Sequence, residues 1–308
     1  VTAPDERTLD EPIAFPPGVD RAKVLAEIYH SAWRLPGRHG AEYRRSVTRH
    51  DPLLFMITYF PHYLRDQITG SISFCPVHLR LCRRIARWAI GGNEERVACV
   101  APRESAKTTY GFLDGPAWAM AHEHRRFPLA VSYTAQLAAG QLRNLVHELE
   151  HNALLLQDFP DLAVARGRGS RTGGGVVVTV GGASVGARGL GEASLGTRSL
   201  QWRPDVFIGD DVEPIGGLSA ERKADVLTNL LSGVLRMGRG PALFTGTPVG
   251  YGSIMHDLAR LALGRPLAGG EWAAAQEFTV DHFAAIVADE HGERALWPQR
   301  RSLEWLQA

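Results

Sequence analysis

The sequence predicts an α/β fold with a central, mainly parallel sheet flanked by helices. Two observations predict it. Short, uninterrupted apolar runs recur: VACVA (97–101), PLAVSYT (128–134), DVFIG (205–209) and PALFTGT (241–247). Segments of helical pattern follow them at 107–121, 135–157 and 220–235. A strand that is apolar on both faces belongs inside a covered sheet, and helical crossovers make successive strands parallel.

The chain has 308 residues and is 44% hydrophobic, enough for a large core. Residues 1–50 are rich in Pro, Arg and Asp around one short helical pattern (21–33), and read as an N-terminal extension. Residues 51–265 read as the core, and 266–308 as a C-terminal strand with a lid or linker segment. Residues 76–88 form a basic amphipathic pattern, with Val77, Leu79, Leu81 and Ile85 against Arg80, Arg83, Arg84 and Arg87. Segment 165–196 breaks the rhythm with GRGSRTGGG, then VVVTV, then more glycines. It reads as a basic loop followed by a β-hairpin. Its glycines do not open a helix after a strand, so they are not a dinucleotide fingerprint.

The formal net charge of +1 does not mark a nucleic-acid binder, so any DNA contact needs a local basic patch. Arg166, Arg168 and Arg171 offer one, suited to salt-sensitive, sequence-independent contact with a phosphate backbone. Three cysteines are too few for a disulfide framework and fit a reducing compartment. Cys75, His78 and Cys82 lack a second pair at zinc-finger spacing and read as helix residues. No stretch approaches the ~20 apolar residues of a membrane span. The acidic start, VTAPDERTLDEP, lacks the apolar core of a signal peptide.

The strongest local signal is Ala101-Pro102-Arg103-Glu104-Ser105-Ala106-Lys107-Thr108-Thr109, between a buried strand and a helix. A phosphate-binding loop belongs there, with backbone N–H groups curled at a helix N-terminus. It needs a Lys for the β/γ-phosphates and a hydroxyl for Mg²⁺, and Lys107 and Thr108 supply them. Lys107 is expected to sit exposed at the loop. Ala101 and Ala106 replace the usual glycines, which restricts positive φ.

Such a loop needs a metal-holding carboxylate at the end of a neighbouring strand. VFIGDD (206–211) supplies it: Asp210 for the Mg²⁺ shell, Asp211 to orient and deprotonate water. PLAVSYT intervenes between the two motif strands. It points to the RecA-like branch of P-loop ATPases, in which a second strand separates them. Thr245-Gly246-Thr247 ends the next strand, where a polar residue can sense the γ-phosphate.

Together these residues resemble the large terminase subunit of tailed bacteriophages. PRESAKTT is similar to the family's Arg-containing P-loop. VSYTAQLAAGQLRNLVHELEHNALLLQDFPDL resembles the strand, helix and Phe-Pro that follow it. GARGLG and RPDVFIGDDVE resemble the approach to the carboxylates, LFTGTPVG the coupling motif, and ALWPQRRSLEWL the link leaving the ATPase domain. The likeness runs from about Phe74 to the C-terminus. It implies a RecA-like ATPase that uses ATP and Mg²⁺ to drive double-stranded DNA into a procapsid, in the cytoplasm of an infected bacterium. The implied partners are the portal protein, the small terminase subunit and a homo-oligomeric ring, a pentamer on the portal. The family usually carries Glu where this chain has Asp211. Asp is one methylene shorter, and Glu213 is the alternative group for the water. The resemblance also implies an arginine reaching a neighbouring subunit's ATP. Arg188 matches best, with Arg198 and Arg203 as alternatives, and His78 is the candidate adenine contact.

The family's nuclease domain follows the ATPase domain, but only SLEWLQA follows LWPQRR here, with Glu304 its sole acid. Asp281, Asp289, Glu290 and Glu293 read as the solvated end of a strand and turn. The chain is therefore expected to hydrolyse ATP without cutting DNA, its nuclease removed or encoded separately. Two readings compete with the ATPase. His147-Glu148-Leu149-Glu150-His151 is a literal H-E-x-x-H, the pattern of a zinc metallopeptidase. The apolar stripe of Leu142, Val146, Leu149 and Ala153 lies opposite both histidines, which are expected to face solvent. The alanines of the loop motivate the other reading, a non-catalytic scaffold that binds DNA or a portal.

Overall fold

A computed structural model describes residues 37–65, 70, 72–92, 94–166, 171–172, 175–192, 198–236, 240–267, 269–290 and 292–307. The helical pattern at 21–33 lies outside them. The central sheet has eight strands in the order β3-β4-β5-β2-β6-β7-β1-β8. These are β1 (Arg96–Val100), β2 (Pro128–Ser132), β3 (Arg171–Thr172), β4 (Val176–Val178), β5 (Ser184–Gly189), β6 (Val206–Asp210), β7 (Ala242–Gly246) and β8 (Thr279–His282). From β5 to β8 every neighbouring pair is parallel. The hairpin expected in 165–196 is β4 and β5, paired antiparallel, and β5 then joins the parallel sheet beside β2.

Alternation along each strand builds two cores. Val97, Cys99, Ala130, Val206, Ile208 and Leu243 face one side. There they meet helices α2 (Pro52–Tyr59), α3 (Pro61–Leu64), α4 (Pro76–Ala86), α5 (Gly115–Ala121), α6 (Ala135–His151) and α7 (Ala153–Asp158), while α1 (Gly37–Thr48) packs on α2 and α7. Ala98, Val100, Leu129, Val131, Phe207 and Phe244 face the other side, against α8 (Ala220–Thr228) and α9 (Ile254–Ala262). Apolar burial on both faces is the main stabilising term for such a sheet.

The order is compatible with a RecA-like fold, with one correction to the sequence reading. The strand between β1 and β6 in space is β7; PLAVSYT (β2) lies on the far side of β6 and separates them only along the chain. The stretch read as a 135–157 helix breaks at Asn152, whose Oδ1 accepts the Leu155 N–H (3.1 Å) and caps α7. The 107–121 helix contains a π-helical segment, Thr109–Asp114. It buries Asp114, and burial pushes that carboxyl well above the ordinary range.

Part of the expected N-terminal extension belongs to the core. Arg44 of α1 is buried and bonds both oxygens of Asp158 (2.6 and 2.7 Å), which also accepts the Tyr59 hydroxyl (2.8 Å). A buried ion pair is tolerable when its hydrogen bonds are this complete. The C-terminal segment likewise contributes β8 beside β1. Asp281 is therefore not solvated as expected: it accepts two bonds from Arg84 (2.8 and 3.1 Å). Among the described residues no helix is long and apolar enough to cross a membrane.

Candidate active site

β1 ends at Val100, and the chain turns through 101–106 before the helix that begins at Lys107. Glu104 (φ 62°) and Ala106 (φ 56°) both adopt the left-handed conformation. That costs a residue with a Cβ roughly 1–2 kcal/mol, so the turn must be held by its surroundings. Ser105 Oγ donates to Pro102 O (2.7 Å), and Ala101 N donates to Gly246 O (3.1 Å). From below, His78 Nε2 donates to Ser105 O (3.1 Å), while its Nδ1 accepts the Cys75 N–H (3.1 Å). Burial lowers the His78 pKa to about 4, which keeps it neutral for these two roles. His78 is thus a buried support of the loop, stacked on Tyr110 and edge-on to Trp297, rather than an adenine contact. Ala106→Gly should stabilise the protein by about 0.5–1 kcal/mol, because relief of the left-handed strain exceeds glycine's entropic cost. Urea unfolding would measure it, and a lower midpoint would show that the Ala106 methyl packs favourably enough to offset the strain.

Lys107 is buried, in contrast to the exposed position expected of it. Its ammonium donates to Pro102 O (2.6 Å), Ala101 O (3.0 Å), Thr247 Oγ1 (3.1 Å) and Ser105 Oγ (3.3 Å). Burial lowers its pKa. The next residue, Thr108, reaches the other half of the site. Its hydroxyl lies 2.9 and 3.1 Å from the two oxygens of Asp210. Thr245 donates to the same carboxylate from β7 (2.6 Å). Burial raises the Asp210 pKa to about 6, assisted by Asp211 and opposed by the two hydroxyls. Gly246 leaves room for Met255, since a Cβ there would lie 2.8 Å from its side chain. Thr247 donates to Ala101 O (2.8 Å). β7 and the residue that follows it therefore contact both motifs, Thr245 at the Asp210 carboxylate and Thr247 at the start of the loop.

Asp211 leaves β6 with φ 47°, a conformation Asp tolerates better than most residues. Its backbone is fixed by Thr245 O (3.1 Å) and Tyr133 N (3.1 Å), and its side chain is exposed. It opens on a cleft of about 550 Å³, lined also by Arg103, Lys107, Thr108 and Thr247. Pro102 lines a second cavity together with Leu296, Trp297 and Arg301 of the C-terminal segment, and Thr109 begins the π-helical segment. Glu213 reaches the cleft wall but is held as a cap on α9. Its two oxygens accept the N–H groups of Ile254 (2.8 Å) and Met255 (3.0 Å).

The remaining candidates are dispersed. Arg188 lies in β5 opposite Val131, two strands from β6 and outside the cleft lining. Arg198 and Arg203 are exposed. Arg166 is exposed, Arg168 lies outside the described residues, and Arg171 opens β3. His147 and His151 are exposed on α6, as expected, with rings stacked at 4.6 Å. Glu148 between them is buried, paired with Asn152 Nδ2 (2.8 Å) and His62 Nε2 (3.0 Å). Among the described residues no three His, Cys, Asp or Glu side chains are grouped to hold a metal ion. Sequence reasoning missed the C-terminal contact with the loop, in which Arg301 donates to Glu104 (2.7 and 3.0 Å). The Trp and paired arginines of LWPQRR were its only signal. Compared with known proteins, the chain matches no family model and no curated sequence.

Proposed function

We propose that this chain binds Mg-ATP at 101–109 and hydrolyses it as a RecA-like P-loop ATPase. The observation that carries the reading is the Thr108–Asp210 contact, which joins two motifs 102 residues apart across an intervening strand. The donor set fits the metal: a carboxylate and a hydroxyl are hard oxygen ligands of the kind Mg²⁺ prefers. Bound there, the ion would neutralise phosphate charge. Lys107 would place a point charge on the β/γ-phosphates and the 102–108 backbone would cradle them. Asp211 is the carboxylate open to the cleft, and it would orient and deprotonate water. The alanines that motivated a non-catalytic scaffold do not prevent the loop's left-handed turn, so the catalytic reading is preferred.

The resemblance to the large terminase subunit supports a motor that drives double-stranded DNA into a procapsid as part of a ring on a portal. In that setting Arg166, Arg168 and Arg171 would touch the phosphate backbone. Steady-state hydrolysis by Lys107→Ala tests the ATPase. Turnover should fall by at least ~10²-fold, the loss expected for one removed charge-stabilising donor. Because Lys107 is buried, unfolding should be followed in parallel: the transition should remain cooperative. Wild-type turnover in the folded variant would overturn the assignment.

A further inference from the structure

The polar row that holds Asp210 has a third member. Ser132 ends β2, and the ladder fixes its position on both sides. Val131 pairs with Gly209, and Tyr133 N donates to Asp211 O (3.1 Å), so Ser132 and Asp210 lie side by side between them. Alternation puts them on one face. Ala130 shares a core with Val206 and Ile208, and Ser132 and Asp210 are each two residues further on. Thr245 flanks Asp210 from β7 at the same level. Three oxygen-bearing side chains thus stand in a row across three adjacent strands.

Their bonding differs. Thr245 and Thr108 both donate to Asp210. Ser132 is 1% exposed, and its hydroxyl has no hydrogen-bond partner among the described residues. Buried hydroxyls are rarely left so, and an exception points to a water or ion shell that completes the bonding. The carboxylate beside it is the one that would hold the metal.

We propose that Ser132 is a positioning residue whose hydroxyl engages a water in the shell of the metal ion held by Thr108 and Asp210. The inference rests on the Mg-ATP reading. It assigns to β2 a share of the metal site that the loop and the carboxylate motif do not contain. Groups of this kind typically change metal affinity by 10–100-fold when removed.

The test is a Mg²⁺ titration of Ser132→Ala with a fluorescent, non-hydrolysable ATP analogue, alongside unfolding without nucleotide. The nucleotide-free variant should be at least as stable as wild type, because it loses only an unpartnered hydroxyl. The Mg²⁺ concentration at half-saturation should rise about 10-fold, and analogue binding in EDTA should be unchanged. Ser132→Thr, which keeps the hydroxyl, should restore the Mg²⁺ midpoint. An unchanged midpoint in the alanine variant, or a loss of nucleotide-free stability as its only effect, overturns the proposal. If wild type itself shows no Mg²⁺-dependent analogue binding, the ATPase reading fails first, and the proposal with it.

Discussion

Arg188→Ala should be inactive by itself and regain part of its turnover when mixed with Lys107→Ala. Arg188 alternates along β5 with Val185 and Ala187, which share a core with Val206 and Ile208. It therefore lies on the opposite sheet face from Asp210, two strands away. That placement does not suit an arginine acting on its own subunit's nucleotide. The role to be tested is the one that the terminase resemblance implies, action on a neighbour's nucleotide in a ring. A Lys107→Ala subunit has a disabled pocket but an intact Arg188, and it can lend that arginine to an Arg188→Ala subunit whose pocket is whole. An arginine of this type is worth roughly 10³–10⁵ in rate, so even a small rescued fraction stands well above either pure variant. The measurement is ATP turnover across mixing ratios under conditions where both variants assemble. A flat profile would mean that Arg188 has no role in trans. Full activity of Arg188→Ala alone would move the assignment to Arg198 or Arg203.

Asp211→Asn should bind Mg-nucleotide normally and hydrolyse it about 10²–10⁴-fold more slowly, the usual range for a lost general base. Asparagine keeps the shape and tolerates the positive φ of this position, but cannot accept a proton. Glu213→Gln should behave differently. Both Glu213 oxygens accept backbone N–H groups at the start of α9. An amide nitrogen would face one of those donors, so one bond is lost at a cost of about 1–3 kcal/mol. The expected signature is a lower unfolding midpoint with near-normal single-turnover chemistry. The reverse pattern, an active Asp211→Asn and a folded but inactive Glu213→Gln, would make Glu213 the group that activates water.

The central strands were legible because each is buried on both faces, so VACVA (97–101) and VFIG (206–209) are without a polar side chain. Their spatial order was not. Placing β7 between β1 and β6 depends on how crossovers pack, and no local pattern in PALFTGT encodes it. The loop and its carboxylate were legible as residue types at a spacing. The burial of Lys107 is not legible because two of its four partners are backbone carbonyls, of Ala101 and Pro102, which every sequence contains, and a third, Thr247, is far along the chain. Ala106 shows the same limit from the other side. Its composition argues against a left-handed turn, and the bonds around Ser105 impose one. Ser132 was invisible as a site residue because a serine at a strand end is common, and its meaning comes only from register with Asp210.

The position of β7 has a mechanical consequence. Thr245 grips Asp210 and Thr247 grips Lys107 and the Ala101 carbonyl, and the two threonines are only two residues apart. At about 3.3 Å per residue their separation is roughly 6.6 Å, and the strand that leads into Thr247 pairs with β6 as far as Thr245 and with β1 as far as Gly246. Neither grip can be adjusted without disturbing the other, much as two teeth cut on one key turn together. A shift of this segment would therefore disturb the bonds to Asp210 and to Lys107 together, so the two halves of the site share one support.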